Sequence, residues 1–255
     1  MLFVASGLFV GFVVGLTGVG GGSLMTPILV LLFGVHPAMA VGTDLLYAAA
    51  TKSVGTFVHG RKGSVVWPIT GALALGSVPT SLAMVVWLSR SGPFGPSASA
   101  LITTVLGYAL LLTAAAMILR KHIQAYAASI TYNLAPTPRF ILTVLTGVVL
   151  GILVSLSSVG AGALGVTALI LLYPRLPTAQ IVGSDIAHAV PLTLIAGLGH
   201  WLIGSVNFGT LGLLLTGSIP GIIAGSLAAP RLPDTALRLA LATVLIVVGV
   251  RLAVA

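Results

Sequence analysis

The chain has no cysteine and only three acidic residues among 255, and charged residues make up just 5% of it. The missing cysteine excludes disulfides, thiolate metal sites and a cysteine nucleophile. The missing charge excludes an ordinary soluble domain, in which about a quarter of residues are charged. What replaces charge is apolar length: 58% of residues are hydrophobic and the mean hydropathy is +1.20. Several spans of about 20 residues each account for the chain and leave almost nothing for a soluble domain, so it reads as an all-α polytopic membrane protein. The net charge of +8 is carried by basic residues placed singly or in pairs at the ends of apolar runs. That placement marks topology and argues against a nucleic-acid surface. The first apolar run has no basic flank before it and no soluble sequence after it, which argues against a cleaved signal peptide.

Apolar segments run over residues 2–33, 38–60, 64–88, 97–120, 139–173, 179–203, 206–229 and 235–254, four in each half. The polar stretch between them divides the chain into a first membrane repeat (1–120), a linker (121–138) and a second membrane repeat (139–255). At an offset of 141 residues, Gly42, Asp44, His59, Gly63, Ser64, Pro79 and Arg90 recur as Gly183, Asp185, His200, Gly204, Ser205, Pro220 and Arg231. Two of the three acids therefore occupy matched positions, and duplicated membrane units characteristically meet around a shared site.

The first segment of each half is too long for one span. It is interrupted by small residues, Gly18-Val19-Gly20-Gly21-Gly22-Ser23 and Ser157-Ser158-Val159-Gly160-Ala161-Gly162. Glycine at this density breaks a helix. Non-helical backbone at membrane depth survives only under protein or against a water-filled cavity, so matched breaks point to a binding site; close helix packing is the plainer explanation. If all eight segments cross, the ten basic residues other than Lys52 divide six to four between the two sides. If both broken segments are re-entrant they divide eight to two, which the positive-inside rule favours. Both termini then lie outside, and three net crossings per unit make the copies inverted repeats.

Asp44 and Asp185 follow Thr43 and Ser184 near the start of the second segment of each half. Ionisable residues at such depth mark function, although helix capping is the plainer reading. His59 and His200 lie fifteen residues further on, about 22 Å along a helix, so neither histidine reaches the aspartate of its own repeat. Inverted copies would set Asp44 level with His200 and Asp185 level with His59, as coupling or gating pairs. Interhelical hydrogen bonding is the plainer role for each histidine. His188 falls one turn after Asp185 and could relay protons with it; its counterpart in the first copy is Tyr47. Lys52 sits in mid-segment and calls for an anion or a carboxylate. The candidate substrate-binding set is therefore Gly20, Gly21, Gly22, Ser23, Thr43, Lys52, Ser158, Gly160, Gly162 and Ser184, with half-helix N-termini adding free N–H groups. No nucleophile elbow, His-Glu-x-x-His or carboxylate cluster indicates catalysis, and no cofactor or bound metal is implied.

Several ordered motifs resemble the sulfite exporter TauE/SafE family over essentially the whole chain. They are Gly18-Val-Gly-Gly-Gly-Ser23 with Pro27, Val41-Gly-Thr43, His59…Gly63-Ser-Val-Val-Trp67, His200…Gly204-Ser-Val-Asn-Phe208 and Gly217-Ser-Ile-Pro-Gly221. The C-terminal Leu-Arg-Leu-Ala…Val-Gly-Val-Arg-Leu pattern matches as well. The resemblance implies a multi-pass transporter of the bacterial inner membrane for sulfite or a related organosulfur anion. Family members commonly carry serine where this chain has Asp44 and Asp185, so the acids here raise proton coupling or a different cargo. The expectation is a secondary transporter, an exporter of a small sulfur-containing anion, with its site between the repeats; a homo-oligomer is compatible with so small a unit. The competing expectations are a cation or metal transporter using the Asp and His residues, and an intramembrane enzyme or assembly subunit.

Overall fold

The computed structural model describes residues 1–17, 22–61, 63–92, 94–130, 134–228 and 234–254. Those residues form α1 (Leu2–Thr17), α2 (Gly22–Leu31), α3 (Pro37–Arg61), α4 (Trp67–Ser91), α5 (Pro96–Ile130), α6 (Pro136–Ser157), α7 (Ala163–Leu172), α8 (Thr178–Leu202), α9 (Phe208–Ala228) and α10 (Asp234–Val254). Among the described residues, α4, α6, α8 and long stretches of α5 and α9 are each long and apolar enough to cross a membrane. α1, α2 and α7 are shorter apolar helices.

Prolines open these helices where the first-turn N–H has no partner to lose. Pro37, Pro68, Pro96 and Pro136 sit at or one residue into the starts of α3, α4, α5 and α6, and Pro177 precedes α8. Glycine closes three of them, with Gly92 (φ +74°) after α4. Gly63 (φ +63°) and Gly204 (φ +80°) take the left-handed conformation after α3 and α8. Ser64 N–H then bonds the His59 carbonyl at 3.0 Å, and Ser205 N–H bonds that of His200 at 2.8 Å. The repeated His…Gly-Ser motif is therefore, in its backbone, a helix-ending turn. α5 continues to Ile130, well into the stretch expected to be a linker. Residues 121–130 contain neither glycine nor proline, and it is Pro136 that starts the next helix.

The offset of 141 extends from residues to whole elements: α2 and α7, and α3 and α8, begin and end at matched positions. The packing exchanges the halves. α1 packs on α9 as α6 packs on α4, α3 packs on its own counterpart α8, and α5 packs on its counterpart α10. Small residues allow these approaches: a Cβ on Gly217, Gly221 or Gly225 of α9 would strike the α1 backbone, and one on Gly147 of α6 would strike Leu73 of α4.

The contacts also give directions. Gly42 meets Ser205 and His200, Gly197 meets Leu46, Gly55 meets Ile186, and Gly183 meets Ser64 and His59, so α3 and α8 are antiparallel. α4 runs parallel to α8, with Val66 against Ser184, Ser77 against His188 and Val85 against Gly199. α9 runs parallel to α3, with Asn207 against Thr43 and Ser218 against Tyr47. α1 follows α9, with Gly7 at Leu214 and Gly11 at Ser218. α1 and α3 therefore point the same way although they are consecutive long helices, and the chain turns back through α2. α6 and α8 have the same relation across α7.

Candidate functional site

The first turn of α2 meets the second break, the loop between α6 and α7. A Cβ on Gly22 would collide with the Ser158 carbonyl oxygen and stand 3.0 Å from both its carbonyl carbon and its Oγ. Ser158 is the one non-glycine residue with positive φ (+58°) among the described residues. Gly160 (φ +126°) and Gly162 (φ +129°) take backbone conformations open only to glycine. The second break is thus a shaped loop, whose geometry depends on these two glycines. Gly20 and Gly21 lie outside the described residues.

Each half-helix faces the aspartate of its own repeat. Thr26, in the first turns of α2, donates its hydroxyl to Asp44 Oδ2 at 2.5 Å, the length of a charge-assisted hydrogen bond, while Asp44 Oδ1 is buried without a partner. Asp185 lies flush on α7, where a Cβ on Gly165 would overlap its Oδ1. Asp185 has no side-chain hydrogen-bond partner, the Gly162 backbone N–H being the donor that acts on it, and both aspartates are fully buried. The helix dipole favours a negative group at these first turns. Lys52, half-buried, donates from Nζ to the Ala161 carbonyl inside the second break at 2.8 Å. Asp185 and Asp44 are the two carboxylates acting on it. Ser158 Oγ is buried beside Asp44 and acts on its carboxylate. A lysine, two carboxylates, a buried hydroxyl and two helix starts therefore converge, and Ser23 is buried at the same edge of α2.

Two expected site residues, Thr43 and Ser184, stand at contacts between the repeats. Thr43 Oγ1 accepts from Asn207 N–H at 3.0 Å, and Ser184 Oγ accepts from Val66 N–H at 2.9 Å. Each hydroxyl satisfies a backbone donor at the helix start of the opposite copy, joining the repeats at symmetric points. The histidines stand level with the opposite aspartates' helix ends but bond other groups. His200 Nε2 donates to the Ser155 carbonyl at 2.9 Å, and His59 Nδ1 pairs with Ser64 Oγ at 2.9 Å. His188 Nε2 pairs with Ser77 Oγ at 2.8 Å. Among the described residues no three His, Asp or Glu side chains form a metal-binding group.

Thr26, Ser77 and the Tyr47–Ser218 pair (2.5 Å) were not singled out from the sequence. A signal for them existed, since Thr26 recurs as Thr167 and Ser77 as Ser218 at the same offset of 141.

The model of the sulfite exporter TauE/SafE family matches residues 3–252. The chain belongs to the TauE/SafE family. A relative in Bacillus subtilis (strain 168), the probable membrane transporter protein YjnA, is 39% identical over 250 residues, covering 98% of each chain. A probable membrane transporter protein of Xylella fastidiosa (strain Temecula1) is 28% identical across 90% of this chain and 84% of its own. The probable membrane transporter protein MJ0441 of Methanocaldococcus jannaschii is 26% identical across 97% of this chain and 93% of its own. No solved structure matches. This TauE/SafE chain is thus a multi-pass membrane transporter, and its central convergence of helix starts and charges lies within the region the family model covers.

Proposed function

We propose that the protein is a secondary transporter of a small sulfur-containing anion, sulfite or an organosulfonate, in the bacterial inner membrane, coupled to protons. The site is the meeting of the α2 first turn with the 158–162 loop that leads into α7, between two inverted repeats whose broken segments enter and leave by one face. The parallel course of α1 with α3 and of α6 with α8, together with the antiparallel α3–α8 pair, supports that topology. The observation that carries the site is the Gly22–Ser158 contact, with Lys52 bound into the second break and Asp44 and Asp185 on the two half-helices.

The carboxylates occupy places an anion would take. One lysine against two carboxylates leaves the site net negative when all are ionised, so an incoming anion is repelled until at least one carboxyl takes a proton. A protonated carboxyl no longer competes for the helix start, and the anion then binds Lys52, Ser158 Oγ and the freed amides. Anion and proton bind together and cross in the same direction, so an inward proton gradient favours uptake and export runs on an outward anion gradient. A cation site is the other reading that two buried acids support.

The test is thermal stabilisation of the purified protein by sulfite, thiosulfate and sulfoacetate against zinc and manganese. The anions should raise the unfolding temperature, more so at lower pH, and Lys52→Ala should abolish the effect. Stabilisation by the divalent metals alone would overturn the proposal.

A further inference from the structure

The two halves of the site differ along the seams that lead away from it. Beyond Asp185, α8 carries His188 one turn on, fully buried, with Nε2 on Ser77 Oγ of α4 at 2.8 Å and Nδ1 unpartnered. One turn further along α4, Ser81 accepts from Ser155 Oγ of α6 at 2.9 Å, and His200 Nε2 bonds the Ser155 carbonyl. The matched seam beyond Asp44 has tyrosine at 47 instead of His188, valine at 14 instead of Ser155 and isoleucine at 222 instead of Ser81. Tyr47 is closed off on Ser218 Oγ at 2.5 Å. The carboxylates differ in the same sense: Asp44 is fastened by the Thr26 hydroxyl, and Asp185 has no side-chain partner.

From these differences we infer that the duplicated site has divided its labour: Asp185 carries the proton, supplied along the α4–α6–α8 seam through Ser77 and His188, and Asp44 does not exchange. This rests on the proposed proton-coupled anion transport. The transfer balances with hydronium entering at the far end of the seam. His188, neutral with its proton on Nδ1, releases that proton to a carboxylate oxygen of Asp185, directly or through one water, and takes the Ser77 hydroxyl proton on Nε2. The hydronium reprotonates Ser77 and is left as water, and the reverse tautomer shift resets the ring. Lys52 of α3 acts on both Asp185 and His188, and Asp44 is the other carboxylate acting on that lysine. α7 presents glycine and backbone, and α4 and α6 carry only Arg90 and Arg139 as charged residues, each near a helix end. The titratable and charged groups facing the seam are therefore Asp185, His188, His200 and Lys52.

His188→Tyr installs the first copy's residue, which still reaches the serine on α4. In proteoliposomes, sulfite uptake driven by a pH gradient should fall about a hundredfold, the lower range for a positioned proton-transfer group, while sulfite–sulfite exchange at equal pH stays near wild type. Unchanged gradient-driven uptake in His188→Tyr overturns the relay. A second, substrate-free measurement covers a variant that fails to fold and a wild type that moves no sulfite. On acidifying the protein in nanodiscs, the carboxylic C=O infrared band should grow in wild type and Asp44→Asn and be lost in Asp185→Asn. A band lost in Asp44→Asn and kept in Asp185→Asn overturns the assignment. Absent sulfite flux in wild type would instead count against the proposed function, and the infrared result would stand apart from it.

Discussion

Replacing Gly22 by alanine places a methyl against the backbone of the other half at the point where the two broken segments meet. The added Cβ overlaps the Ser158 carbonyl oxygen and stands 3.0 Å from its carbonyl carbon. A flexible side chain could swing clear, but a carbonyl in a turn with φ +58° at Ser158 and glycine-only conformations at 160 and 162 cannot. Either α2 or the 158–162 loop must shift. Overpacking of this kind costs about 1–3 kcal/mol. If the cost falls on the anion-bound arrangement, affinity drops about five- to 150-fold at roughly 1.4 kcal/mol per factor of ten. Two controls separate site from scaffold. Gly76→Ala drives a Cβ into Val144 and to 2.7 Å from Val148 N in the α4–α6 contact, away from the breaks, and should lower thermal stability without changing anion affinity. Gly71→Ala opens into free space and should do neither. The assay is concentration-dependent sulfite uptake in proteoliposomes, paired with thermal unfolding in detergent. Wild-type affinity in Gly22→Ala, alongside the expected stability loss in Gly76→Ala, would refute the placement of the site at this contact.

Other outcomes follow from the same contacts. Thr43→Ala and Ser184→Ala should each cost about 1 kcal/mol of stability by orphaning a backbone N–H, with half-saturation for anion unchanged; thermal unfolding with uptake kinetics checks both. Gly63→Ala and Gly204→Ala meet no atom within 4 Å, so their cost is purely that of left-handed backbone, about 1–2 kcal/mol each, read as a fall in unfolding temperature. Tyr47→Phe removes the bond to Ser218 at a cost of about 1 kcal/mol and should leave proton-driven uptake intact, in contrast to His188→Tyr.

Much of this was legible in the chain because sparse polar residues in an apolar background have few reasons to exist. The offset of 141 located the matched helices, and the glycine runs located the breaks that separate α1 from α2 and α6 from α7. What composition could not separate was chemistry from carpentry. Thr43 and Ser184 stand beside the aspartates in sequence, yet successive residues on a helix point about 100° apart, and their hydroxyls face the opposite copy. The His…Gly-Ser repeat looked like a functional motif, but its backbone is a helix terminator, a role that any left-handed glycine can fill. Thr26 and Ser77 were overlooked because single hydroxyls are common in apolar helices; only their partners, Asp44 and His188, give them meaning. α5 runs on past the apolar segment that ends at residue 120, because the polar residues from His122 to Tyr126 are good enough helix formers to prolong it.

The most direct measurement of the central claim is counterflow of radiolabelled sulfite in proteoliposomes holding only this protein. Vesicles loaded with unlabelled sulfite should accumulate the label, faster at lower pH. Thiosulfate and sulfoacetate should compete, zinc should not, and Lys52→Ala should accumulate none. Absence of counterflow in wild type, or accumulation that persists undiminished in Lys52→Ala, would contradict an anion site built from Lys52 and the two half-helices.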